Sequence, residues 1–153
     1  VQNLVYVLNF TQAKVHFMSE NIQIKRGQET QVDIDYKLGG QTTSVDLSGS
    51  SYDAELVIRR KRGNNYDGQI VDTLRFGNSS PADTAKDNRI TFVYGPSQSP
   101  ATTDNIQLKW NTTQSALLPN EDITVAGDLK ITQSNEVIYS IRLLFDITPE
   151  ITA

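Results

Sequence analysis

A single histidine, His16, and no cysteine stand in this chain, and that inventory limits the chemistry it can attempt. Without cysteine there is no disulfide framework, no thiolate nucleophile and no Cys-ligated zinc site, and a cytosolic origin is favoured. One imidazole also excludes any site that needs two. A Ser-His-Asp arrangement would have to use His16. That residue lies in the apolar-alternating run Ala13-Lys14-Val15-His16-Phe17-Met18 and reads as an ordinary strand residue.

The carboxylates offer two further chemistries. Asp33 and Asp35 fall on the outer face of one predicted strand, with Asp46 and Asp53 as candidate neighbours. Calcium, however, takes six or more oxygens gathered by a tight loop of closely spaced acids, and no such loop is present. Glycoside hydrolysis needs one carboxylic acid in an apolar setting that keeps it protonated, and the acids here fall on surface-facing strand positions. The residues therefore argue against an enzyme, and they imply no cofactor and no metal.

Binding residues are easier to find. The run Arg59-Arg60-Lys61-Arg62 ends a predicted strand and enters the hairpin tip Gly63-Asn64-Asn65-Tyr66-Asp67-Gly68. It reads as a solvated tip, or as a cationic patch for an acidic partner surface. A formal net charge of −4 argues against a general nucleic-acid partner, which needs a basic face to displace counterions. Tyr66 is the best placed aromatic for stacking on a sugar. The loops 77–88 and 95–104 hold aromatics only at their margins, Phe76 and Tyr94, so a glycan partner has thin support.

The N-terminus carries the other binding candidate. Leu4, Tyr6, Leu8 and Phe10 fall on one side of an extended segment, and Val5 and Val7 on the other. A strand that is apolar on both faces must be covered on both, and an uncovered one recruits other strands. Two readings stay open: the segment is covered within its own subunit, or it is an assembly arm that adds to a sheet of a neighbour. The run Leu4-Val5-Tyr6-Val7-Leu8 lacks the flanks of a signal peptide, and no stretch approaches the ~20 apolar residues that span a bilayer, so no membrane is expected.

The elements that position these residues are nearly all strands. Ile123, Val125, Gly127, Leu129 and Ile131 alternate with polar residues; after Gln133-Ser134-Asn135-Glu136 the alternation resumes at Val137, Tyr139, Ile141, Leu143 and Phe145. These runs predict a long antiparallel hairpin. Val32, Ile34, Tyr36 and Leu38 mark another strand, as do Tyr52, Ala54, Leu56 and Ile58. A further strand ends at Leu74 and Phe76, another carries Ile90, Phe92 and Tyr94, and Ile106, Leu108 and Trp110 complete the set with Trp110 in the core. One short helix fits near 112–118, stopped by Pro119, with Ala116, Leu117 and Leu118 capping the core. At 153 residues the expectation is all-β: a single antiparallel β-sandwich, immunoglobulin-like or similar, over 21–153, preceded by an N-terminal strand or arm over 1–20.

The order of motifs resembles the N-terminal domain of the siphophage baseplate upper protein and related small tail-associated proteins. The motifs are Ile22-Gln23-Ile24-Lys25-Arg26-Gly27, Val45-Asp46-Leu47-Ser48-Gly49, Ala54-Glu55-Leu56-Val57-Ile58-Arg59 and Arg89-Ile90-Thr91-Phe92-Val93. Ser115-Ala116-Leu117-Leu118-Pro119, Gly127-Asp128-Leu129 and Ile147-Thr148-Pro149-Glu150-Ile151-Thr152 follow in turn. The resemblance implies a non-enzymatic structural protein of a bacteriophage particle, assembled in the bacterial host cytoplasm. As a tail or baseplate adaptor, such a protein contacts other virion proteins and further copies of itself. A head decoration protein or a carbohydrate- or receptor-binding module is the alternative.

Overall fold

A computed structural model describes residues 2–9, 15–17, 21–37, 45, 47, 52–76, 89–92 and 106–150. Its elements, in chain order, are β1 (Gln2–Asn9), β2 (Val15–Phe17), β3 (Ile22–Lys25), β4 (Thr30–Lys37), β5 (Tyr52–Arg59) and β6 (Ile70–Arg75). They continue with β7 (Ile90–Phe92), β8 (Ile106–Trp110), α1 (Thr112–Ala116), β9 (Ile123–Gln133) and β10 (Glu136–Thr148). The chain is mostly strand with one short helix, as its alternation predicts. The predicted loops 77–88 and 95–104, together with Phe10, Leu38, Asp46 and Tyr94, lie outside the described residues.

The strands form two sheets. One has the order β1-β4-β8-β7, and the other β2-β10-β9-β5-β6, with β3 also pairing β10. The β9–β10 hairpin is the longest pairing, and Ser134 and Asn135 turn it with φ of 53° and 67°. Positive φ at both central residues is what a two-residue hairpin turn needs to match the twist of its strands. Gly127 lies on β9 opposite Ile58 of β5, where an added Cβ would stand 2.5 Å from the Val57 carbonyl oxygen, so only glycine lets the two strands approach this closely.

Four expectations change. Pairing is not wholly antiparallel, because β1 runs parallel to β4, and β2 and β3 run parallel to β10. Alternation reports which face is buried and is blind to strand direction. Val137 is 51 % exposed, because the pairing shifts register between Val137 and Tyr139 and one extra residue turns the strand end outward. Leu117 is 80 % exposed, since α1 turns its buried side through Ser115 and then Leu118. Asp35 is buried although it stands on the polar side of the β4 alternation.

The buried side chains of both sheets form one cluster, including Val32, Ile34 and Leu108 from the first and Leu56, Leu129 and Phe145 from the second. Trp110 of β8 is fully buried and meets Phe145 of β10 edge to face at 5.9 Å. A polar link joins the same two sheets. Asp72 of β6 accepts from Arg89 Nη1 at 3.0 Å, from Arg89 Nη2 at 2.7 Å and from Trp110 Nε1 at 2.9 Å. The Arg89 guanidinium carbon also stands 5.7 Å over the Trp110 ring. A bidentate pair whose cation is buried is expensive to break from the carboxylate side.

The β3 edge has its own fastening. Asp146 of β10 accepts from Thr124 Oγ1 at 2.6 Å, from Gln23 Nε2 at 3.0 Å and from Asn21 Nδ2 at 3.1 Å. The Thr124 hydrogen bond, helped by those of Gln23 and Asn21 and opposed by desolvation, holds the Asp146 carboxyl below its ordinary value. A folded pKa below the unfolded one contributes stability above the ordinary carboxylate pKa, and that contribution is lost as pH falls through the folded value. Chemical denaturation at stepped pH is therefore expected to show the native chain losing more stability than Asp146→Asn below about pH 4. Parallel curves for the two proteins would exclude this role.

At the other end of β3, Gly27 turns the chain with φ of 85°. Arg26 beside it donates to the Leu118 carbonyl at 2.9 Å and pairs with Glu150 at 2.9 Å. Ser115 of α1 accepts from the Gly27 N–H at 2.9 Å, so the helix is tied to this turn. The helix itself starts with a capping box between Asn111 and Gln114.

Candidate functional site

On a strand, successive side chains point to opposite faces, so the residues of β5, β9 and β10 that do not enter the core form a second, outer surface. Register sets that surface row by row. Glu55 stands opposite Arg75 on one side and Lys130 on the other; Val57 stands opposite Thr73 and Asp128; Arg59 stands opposite Ala126. Arg142 of β10 is the cross-strand neighbour of Asp128 and donates to it at 2.6 Å and 3.2 Å. Arg75 pairs with Glu55. The result is a ladder of opposite charges across four strands.

The ladder is hollow in the middle. Val57, Ala126 and Gly127 are short, and the long side chains around them leave a groove of 370 Å³. Its walls are Glu55, Lys130, Asp128 and Arg142 from the sheet, with Arg59, Tyr66 and Asp67 from the end of β5 and the following turn. A second hollow of 250 Å³ continues along the same face and shares Glu55 and Lys130 with the first.

The basic run does not form one patch. Arg59 donates to the Gly68 carbonyl at 3.2 Å and lines the groove, while Arg60 pairs with Glu121 at 2.5 Å. Lys61 Nζ stands 5.4 Å over the Tyr66 ring, and Arg62 pairs with Asp67 at 3.1 Å. Strand alternation and the turn send these four cations to different partners. Three carry local counter-charges or a ring, and only Arg59 joins the groove.

The N-terminal candidates occupy an edge. Leu4, Val5, Tyr6, Val7 and Leu8 lie within β1, which pairs β4 of its own chain in parallel register from Gln2 opposite Thr30 to Asn9 opposite Lys37. As the terminal strand of its sheet, β1 is paired along one side among the described residues.

The acids weighed for calcium are committed elsewhere. Asp33 accepts from Gln107 at 2.9 Å and Gln31 at 3.1 Å. Among the described residues no three His, Cys, Asp or Glu side chains gather as a metal site, and no helix is long and apolar enough to cross a membrane. Sequence reasoning missed the groove and the Asp72–Arg89 link. Their sole sequence signal is charge at outward strand positions, which is common to most solvated sheets. No family model matches the chain, and neither does any curated protein.

Proposed function

We propose that this chain is an immunoglobulin-like β-sandwich that works by protein–protein contact and performs no catalysis. Within that class we assign it to the structural proteins of a bacteriophage particle, as a tail or baseplate adaptor component. The strand order supports the first step. The row β10-β9-β5-β6 matches the G-F-C-C′ sheet of such a sandwich, and β4-β8-β7 matches B-E-D, with β3 beside the last strand. The single core cluster and the Trp110–Phe145 contact support a face-to-face packing of the two sheets. The second step rests on the resemblance set out above.

The observation that carries the assembly reading is β1. Eight consecutive residues, Gln2-Asn3-Leu4-Val5-Tyr6-Val7-Leu8-Asn9, form a sheet edge without one charge, proline or glycine. Proteins that stay apart blunt their edges with lysine, proline or bulges, and β1 has no such residue. An edge of this composition accepts a strand from a neighbour, and the virion is where copies and partners meet at high local concentration. Val5→Lys places a lysine on this edge. It is expected to reduce self-association, measured by sedimentation velocity, while the circular dichroism of the fold is retained. Unchanged association in that variant would count against the proposal.

A further inference from the structure

We infer that the outer groove of the β5–β9–β10 face is a binding subsite for a neutral hexopyranose unit of a glycan. Four features of the groove favour this chemistry. Its volume of 370 Å³ lies in the range of small-ligand sites. Its charges balance, since Arg59, Lys130 and Arg142 face Glu55, Asp67 and Asp128, which disfavours a strongly charged ligand on either sign. Carboxylates that only accept and cations that only donate alternate along the walls, and a hydroxyl, which does both, can bridge any neighbouring pair. Finally, half-buried Val57 gives the floor a small apolar surface, which suits the C–H face of a sugar ring. Tyr66 supplies an aromatic side wall whose ring is steadied by Lys61.

The groove is prepared for such a ligand by its own ion pairs. Arg142 is held by Asp128, so its guanidinium is already oriented and little side-chain entropy is lost on binding. Lys130 is exposed at the boundary of the two hollows and stands where a second sugar unit would continue along the face. A groove with exposed charged walls implies weak single-unit binding that gains strength through multiple copies.

The test uses the full chain, isotopically labelled, titrated with methyl glucoside, methyl galactoside and N-acetylglucosamine while amide shifts are followed. At least one of the three is expected to give saturable shifts at Tyr66, Ala126 and Asp128 with a Kd on the order of 10 mM. Lys130→Ala and Tyr66→Ala, both at solvent-accessible positions, are expected to weaken those shifts several-fold without changing the spectrum of the core. Inorganic phosphate and glucuronate are the charged controls. The proposal fails if no probe gives saturable shifts in the groove, if the shifts persist unaltered in both variants, or if a charged control binds more tightly than every neutral sugar. Because the readout lies within one subunit, its failure leaves the assembly role of β1 untouched.

Discussion

Asp72→Ala is expected to destabilise the fold by about 3–5 kcal/mol, the usual cost of removing one partner from a buried ion pair. The Arg89 side chain is 7 % exposed and the Asp72 side chain 18 %, so the guanidinium left behind keeps little access to water. The same deletion strands the Trp110 N–H, which donates to Asp72 at 2.9 Å. Urea denaturation followed by circular dichroism measures the loss. Removing the cation as well, in Asp72→Ala with Arg89→Met, eliminates the unpaired charge, so the double variant should be more stable than the sum of the two single losses. Strict additivity would mean that the two residues are not coupled across the sheets.

Trp110→Ala is expected to cost about 3–5 kcal/mol as well, for a different reason. The residue is fully buried, so truncation opens a cavity next to Phe145 and removes their edge-to-face contact. Trp110→Phe separates the contributions. It keeps an aromatic ring in place and loses mainly the hydrogen bond to Asp72, and a smaller cost of about 1–3 kcal/mol is expected. Trp110 is the sole tryptophan of the chain, so the native protein should also show the blue-shifted emission of a buried indole that moves red on unfolding. A near-neutral Trp110→Ala variant would show that the two sheets are not held together at this point.

Much of the strand pattern was legible because period-two alternation records burial directly. The buried side chains of β5, β8 and β9 include Ala54, Leu56, Ile58, Leu108, Trp110, Leu129 and Ile131, where the alternation places them. Alternation fails where geometry departs from a regular strand. Val137 lies beyond a register shift, and Leu117 caps the end of a helix too short to have a readable period. It also cannot pair elements distant in sequence. Nothing in residues 21–25 signals that β3 lies parallel to β10, and nothing local joins Asp72 to Arg89.

The candidate sites were legible to different degrees. The two-faced apolar composition of β1 is visible in the letters, and the structure adds that β1 is the last strand of its sheet among the described residues. The basic run is visible too, but its apparent unity was an effect of reading consecutive letters. In space, Arg60 meets Glu121, which is 61 positions away, and Arg62 meets Asp67. The groove is invisible in sequence because it arises from short side chains, Val57 and Ala126, on adjacent strands that meet only after folding.

Assembly through β1 is the central claim, and the mass of the particle in solution tests it most directly. Light scattering coupled to size separation, on the full chain and on the chain lacking residues 1–12, gives the two masses side by side. The full chain is predicted to run as a multiple of its 17.0 kDa mass and the shortened chain as a folded monomer. A full chain that is itself monomeric, or a shortened chain that keeps the same multiple, would contradict the account.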